Sequence, residues 1–408
     1  MKRTLFTVLL LFLTLIVISV ATGTNASDNE VIKTYTDLNA FKINSSSKDS
    51  SVYLITDTVD LRGNTCRLPL KSKLIFNGGI IINGILDGDS TSMECLTFPI
   101  FDRLIITGSW KIREISTDMF KKVDENTLGN MSALSSDKTD NIIAINSDCH
   151  VPVKKWDSRF KIKSKSTLIL NADIYTMPTK NNGGYCIKVE GDSIAIKGNG
   201  HGLYGTILDD RQKTISEWLH GLYIDEKCNG VYVENLNSWY FCGDGFYTRG
   251  SNVTFNGINA KFNGRQGLSI TKGENIKVEN STFSFTSFYK IASGGGPGAG
   301  IDIEPNKGDT INNIIVNGCE LENNLRYIKN HVNDLEIYGT GNANIKISNC
   351  RVRGLYLGSC SNVTLEHCKE LNSIFCIDNK IRNINIGSSG NPAVFGKGLI
   401  DSAIKIVR

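Results

Sequence analysis

The chain has 408 residues, of which 40% are hydrophobic and 21% charged, with a formal net charge of +4. This composition excludes a disordered chain, and the lack of any basic run or stripe argues against nucleic acid as a partner. The length would fill two or three ordinary domains, unless a repeat lifts the limit on a single core.

Residues 1–26 have the features of a secretory signal. Lys2 and Arg3 precede an apolar stretch at 5–20, and small residues follow, with cleavage expected after Ala21 or Ala26. The mature chain would then be close to neutral. It would be secreted or periplasmic, with no membrane segment left after cleavage.

Residues 27–122 read as a strand-rich cap. Val52-Tyr53-Leu54-Ile55 and Leu74-Ile75-Phe76 are strand-like runs, and Asn77-Gly78-Gly79 turns the chain. Ile80-Ile81-Ile82-Asn83-Gly84 and Leu104-Ile105-Ile106-Thr107-Gly108 repeat the strand-then-glycine pattern. Residues 123–145 read as a polar linker, with a short helix expected at 142–146. Residues 146–408 form the repeat region, its regular coils beginning near Ser166.

One phrase recurs there: a turn Asn, an apolar-x-apolar strand, a polar turn, then a small inward residue. Its copies begin at Asn252, Asn275, Asn313, Asn344, Asn362 and Asn383, at intervals of 23, 38, 31, 18 and 21 residues. Repeats of this period mark a solenoid. The unit is mostly strand, so the expected fold is all-β, a parallel β-helix wound as a single-stranded solenoid behind the N-terminal cap. Five residues after the first apolar position come Ile258, Ser281, Cys319, Cys350 and Cys368. The eleven cysteines would suit disulfides in an exported chain. The shared column of Cys319, Cys350 and Cys368 instead predicts stacked, buried thiols. The sequons at Asn252, Asn280 and Asn362 follow from the same turn grammar, and no spacing suggests zinc.

A second column, anchored at Gly221, Gly245, Gly267, Gly300, Tyr327 and Gly354, predicts an exposed strand in each coil. Strand side chains alternate faces. Leu222, Phe246, Leu268, Ile301 and Ile328 should point in. Tyr223 and Asp225, Tyr247 and Arg249, Ser269 and Thr271, Asp302 and Glu304, and Lys329 and His331 should point out. Coils about 4.8 Å apart would gather these into a patch roughly 15 Å long, the size of a few sugar rings.

Within it, Asp302 and Glu304 follow a Gly-rich run at 293–300 and share one face, roughly 6.5–7 Å apart. Paired carboxylates in this range suit glycoside hydrolysis. With nearby carbonyls they would equally suit Ca²⁺, and otherwise no cofactor is expected. The run is no P-loop, since it lacks Gly-Lys-Ser/Thr and leads into no helix. Lys329, His331, Arg326, Arg265 and Arg249 surround the patch as cations that could bind an acidic sugar or stabilise an enolate. Tyr223 and Tyr247 offer sugar-stacking rings, as do Trp239 and Tyr240.

This coil grammar resembles the right-handed parallel β-helix superfamily of pectate lyases and polygalacturonases, over about residues 140–408. Against the polygalacturonase motifs, Cys242-Gly243-Asp244-Gly245 keeps the first Asp. Arg265-Gln266 stands where Asp-Asp is expected, Gly298-Ala299-Gly300 lacks the His, and Tyr327-Ile328-Lys329 keeps the Lys. The resemblance implies a right-handed solenoid that processes polysaccharide, with Asp244 and Lys329 at matching positions. The expected activity is glycoside hydrolysis through Asp302, Glu304 and Asp244. The alternatives are a polysaccharide lyase using Lys329 or an Arg, and a non-catalytic glycan-binding or adhesion solenoid. The oligomeric state is left open.

Overall fold

The computed structural model describes residues 32–35, 51–212, 215–287, 298–326, 331–378, 380–388, 392–396 and 404–407. The signal-peptide reading, the Gly-rich run up to Pro297 and Lys329 lie outside them.

The chain folds as a parallel β-helix. A long sheet of twelve strands runs from Glu114–Ser116 to Ile404–Val407. A central sheet of ten runs from Phe160–Ile162 to Ala393–Gly396, and a short sheet of seven from Cys149–Pro152 to Glu320–Glu322. Crossovers between parallel strands are right-handed because strands twist one way. The long sheet thus starts at Glu114, and the first coil with a strand in all three sheets starts at Asn141, before Ser166.

The repeat phrase builds the core. Along the long sheet, Leu168, Ile196, Val233, Phe255, Val278, Val316, Ile347 and Leu365 pair in succession, and each is 0% exposed. Each such side chain contributes about 1.5–3 kcal/mol by leaving water, and only its neighbouring coils supply the cover.

The turn asparagines stack as the pattern requires. Asn252, Asn275, Asn313, Asn344, Asn362 and Asn383 all hold φ between 52° and 57°, a region that Asn tolerates better than most residues. Asn252 donates to Asn229 at 2.6 Å, Asn275 to Asn252 at 3.0 Å and Asn313 to Asn275 at 2.7 Å. Asn344 turns to Asn312 at 2.9 Å, and Asn383 donates to Asn362 at 3.0 Å. A second asparagine column, absent from the sequence reading, links Asn280 to Asn256 and Asn349 to Asn317. The cysteine column is also as expected. Cys319, Cys350 and Cys368 are each 1% exposed, the Cys319 N–H donates to Cys350 Sγ at 3.4 Å, and all eleven thiols are free.

Two local expectations are corrected. Residues 142–146 are not helical: Asn141–Ile145 is a strand of the long sheet. Its Ile-Ile-Ala-Ile run is dominated by β-branched residues, which favour strands. The helix is Thr127–Leu134, inside the supposed linker, and it buries Leu128, Met131 and Leu134. It covers the edge of the cap strand Phe101–Lys111. The Asn130 side chain accepts from Ile106 N–H at 2.9 Å and donates to Leu104 C=O at 2.8 Å, in place of a neighbouring strand.

Candidate functional site

The glycine anchors align. Gly221, Gly245, Gly267, Gly300 and Gly354 fall at one level of the central sheet, as the registers of the strands that follow them show. The close approach demands glycine: a Cβ on Gly267 would lie 2.5 Å from the Gly300 carbonyl oxygen and 2.8 Å from the Phe283 ring.

The outward row then reads, coil by coil, Lys161, Lys188, Tyr223, Tyr247, Ser269, Asp302, Glu336, Tyr356, Phe375 and Phe395. Cations begin it, carboxylates occupy the middle and aromatics end it. The anchor expected at Tyr327 lies outside the described residues. Between Gly300 and Gly354 the anchor level is held by Asp334, Leu335–Tyr338 is the sheet strand, and Glu336 takes the outward position. Leu325–Arg326 and His331–Val332 form a small antiparallel pair outside the sheet. Only the backbones of Arg326 and His331 are described there.

The middle of the row is outward but not exposed, contrary to the expected open groove. Asp302 is 1% exposed and Asp244 0%, with Ser269, Gln266, Tyr247 and Glu336 also buried. Alternation gives the face of a residue but not what covers that face.

Asp302 Oδ2 accepts from Gln266 Nε2 at 3.0 Å, while its Oδ1 and Gln266 Oε1 are buried without a hydrogen-bond partner. Burial, followed by the charges of Glu336 and Glu304, holds the Asp302 carboxyl well above the ordinary range. Its protonated form is therefore favoured relative to an ordinary aspartate. Glu304 is half-buried beside it and is itself partnered.

Asp244 is better satisfied. It accepts from Arg265 at 3.1 Å, Gln266 N–H at 3.1 Å and Ser269 Oγ at 2.9 Å. Burial raises it to about 6 against the opposing pull of Arg265 and these donors. His220 Nδ1 lies 3.4 Å from the Asp244 carboxylate, yet the pair is not ionic. That nitrogen accepts the Asp244 N–H at 2.9 Å, and burial plus Arg265 depress the imidazole pKa well below its usual value. His220 is thus neutral, with its proton on Nε2.

Arg265 is 12% exposed, and its guanidinium lies 5.4 Å from the Trp218 ring centroid, a cation–π arrangement. Trp218 is 40% exposed and lies 6.3 Å from the ring of Trp156, itself 47% exposed. This tryptophan pair was not singled out from the sequence. Tyr223 stacks on Tyr185 at 4.2 Å and on Tyr247 at 5.5 Å. Such stacks turn ring edges outward rather than faces. Arg249 is occupied by Glu226 at 2.9 Å and Asp309 at 3.0 Å. Trp239 and Tyr240 lie on the short-sheet side, where Trp239 meets Tyr204 and Lys261. Among the described residues, no three His, Cys, Asp or Glu side chains are arranged to hold a metal ion.

These sheets and this row define a parallel β-helix protein with a buried acidic cluster on one outward face. No family model matches the chain, and no curated protein matches it. Among solved structures it is similar to the crystal structure of Dettilon tailspike protein, at 14% identity and a TM-score of 0.33. The alignment covers 82% of this chain and 62% of that one, so this chain spans less than two thirds of the length of that protein.

Proposed function

We propose that this is an exported glycoside hydrolase, acting on polysaccharide at the middle of the outward row. One observation carries the reading. Asp302 and Glu336 stand in register on adjacent strands, buried, with burial and the Glu336 charge raising the Asp302 carboxyl well above its ordinary range. Two carboxyl groups driven to different protonation states are the pattern of acid–base glycoside chemistry. Burying them costs stability, which is characteristic of functional sites.

In this reading Asp302 gives its proton to the glycosidic oxygen as that bond breaks. A water oxygen adds to the anomeric carbon, and its proton passes to the Glu336 carboxylate acting as base. Glu304 and Asp244 set the local charge, with Asp244 tied to Arg265. Trp218 and Trp156 supply exposed ring faces for sugars. The sealed cluster must open when substrate binds, so saccharide should increase carbodiimide labelling of Asp302.

Incubation with a panel of neutral and acidic polysaccharides tests the activity. New reducing ends without ultraviolet absorbance mean hydrolysis. Reducing ends with the absorbance of an unsaturated uronate mean a lyase, and return attention to Lys329. The non-catalytic alternative draws on the Asp244–Arg265 pair at 3.1 Å, which is already satisfied inside the protein. Binding with no cleavage of any member of the panel would favour it. The export part of the proposal rests on residues 1–26 alone and is tested by fractionation.

A further inference from the structure

A cleft of about 710 Å³ lies between the helix Thr127–Leu134 and the first coils. Its size is within the range of ligand pockets, about 300–1,000 Å³. Lys154, Lys155, Arg159, Lys161 and Lys163 line it, and no Asp or Glu does. We propose that this cleft binds an acidic saccharide, one carrying carboxylate or sulfate groups.

The cations are only partly neutralised from behind. Lys154 and Lys161 share Asp157, each at 3.1 Å, and Lys161 also reaches Glu190 at 3.2 Å. Lys188 joins this group through the same two carboxylates, at 3.9 and 2.6 Å, and through Asp225 at 3.4 Å, so the unpaired charge of the cleft lies on Lys155 and Arg159. Arg159 meets the neutral amide of Asn126 at 3.3 Å, and Lys163 donates to the Ser135 carbonyl at 2.7 Å. Neither Lys155 nor Arg159 has a carboxylate partner among the described residues. Cations gathered around a concave, partly desolvated space focus an attractive field on an anion.

Two further features favour a sugar chain over a small anion or a nucleic acid. Trp156 follows Lys155 directly and pairs with Trp218, so exposed aromatic surface adjoins the charge. The formal charge of the whole chain is only +4, and the patch is local, with no basic track for a long phosphate backbone. Lys161 is also the first member of the outward row, five coils before Asp302, or about 24 Å along the axis. A chain held in the cleft is thereby aimed along the row. The binding site itself does not depend on the proposed hydrolysis.

The test is titration calorimetry of the full chain with dextran sulfate, polygalacturonate, neutral dextran and a single-stranded oligothymidylate. Binding of one or both acidic polysaccharides is expected, weakening as salt rises, and the two arms separate sulfate from carboxylate. The double variant Lys155→Ala/Arg159→Ala should lose at least tenfold in that affinity. Its targets are exposed, and an unchanged circular dichroism melt checks that it folds. Neutral dextran bound as tightly as the acidic chains, or affinity untouched by the double variant, would overturn the proposal. So would oligothymidylate bound more tightly than either acidic polysaccharide and lost in the same variant. Asp302→Asn should retain the binding even where it abolishes cleavage. This keeps failure of the cleft distinct from failure of the hydrolase reading.

Discussion

Asp302 and Glu336 face each other across adjacent strands of the central sheet, on the same outward row, with Asp302 buried to 1% exposure and Glu336 to 4%. Two carboxylates so placed cannot both ionise cheaply, so the pair shares a proton or gives up stability.

The first prediction is an inverted pH dependence of stability. Asp244 and Asp334 are each raised to about 6 by burial, and Asp302 well above its ordinary value. Between the unfolded pKa, about 4, and these folded values, the folded state binds more protons than the unfolded state. This stabilisation is complete below about pH 4 and is lost as pH rises through 6. Each group at 6 contributes on the order of 3 kcal/mol. His220, depressed below its ordinary value, works in the opposite direction but is outnumbered by these three carboxyls, so thermal melts from pH 4.5 to 8 at constant salt should show Tm falling across the range. A Tm that rises steadily over that interval would mean that these carboxyls are ionised and well paired.

Asp302→Asn should abolish hydrolysis and stabilise the protein at alkaline pH. The amide cannot donate a proton to a leaving group. Its NH₂ can donate to the unpartnered Gln266 Oε1, and it carries no charge beside Glu336. The Tm advantage of the variant should therefore grow from pH 5 to pH 8. Full activity in Asp302→Asn and in Glu336→Gln would remove this pair from the mechanism. Ca²⁺ titration separates a metal-holding role, because a bound ion raises Tm with concentration whereas a protonated pair does not respond.

The asparagine column should be sensitive to shape rather than polarity alone. Asn313 holds φ 54° and donates to Asn275 at 2.7 Å. Asn313→Ala loses the bond and forces an alanine into the left-handed region, costing about 2 kcal/mol. Asn313→Gly loses the bond but tolerates the backbone, so its cost should be about half that. Chemical denaturation of the three proteins gives the order, and equal losses for Ala and Gly would assign the whole effect to the side-chain bond.

All eleven cysteines should titrate as thiols after denaturation without reductant, and almost none before it. Burial pushes Cys149 and Cys360 up to about 12 and Cys242 and Cys368 to about 11, so little thiolate forms and access is blocked. A denatured count near one thiol would mean that the column is bridged.

The solenoid was legible because its repeat is written in residues with a local physical meaning. Asn at 252, 275 and 313 marks a left-handed corner, and the apolar-x-apolar runs mark an inward strand. The same alternation placed Asp302 and Asp244 on the outward face. It could not reveal their burial, since the cover over a sheet comes from chain distant in sequence. Glu336 was missed because Asp334, not glycine, anchors its strand. The antiparallel pair Leu325–Arg326 with His331–Val332 stands before that strand and carries no repeat phrase. The helix Thr127–Leu134 was missed because its Gly, Asn and Ser favour turns. Trp156 and Trp218 carry no periodic signal, and their pairing depends on two loops meeting.

The asparagine column has a direction. Asn252 and Asn275 each donate toward the coil before them and accept from the coil behind, and Asn313 donates to Asn275. Their side-chain amides are thus aligned head to tail, with the N–H ends toward the start of the chain. Bonds in such a file polarise one another. The seam is therefore an axial dipole built from side chains, and removing a central member interrupts mutual polarisation on both sides. A terminal member interrupts it on one. The same substitution should thus cost more at Asn275 than at the ends of the run, although the local contacts are alike.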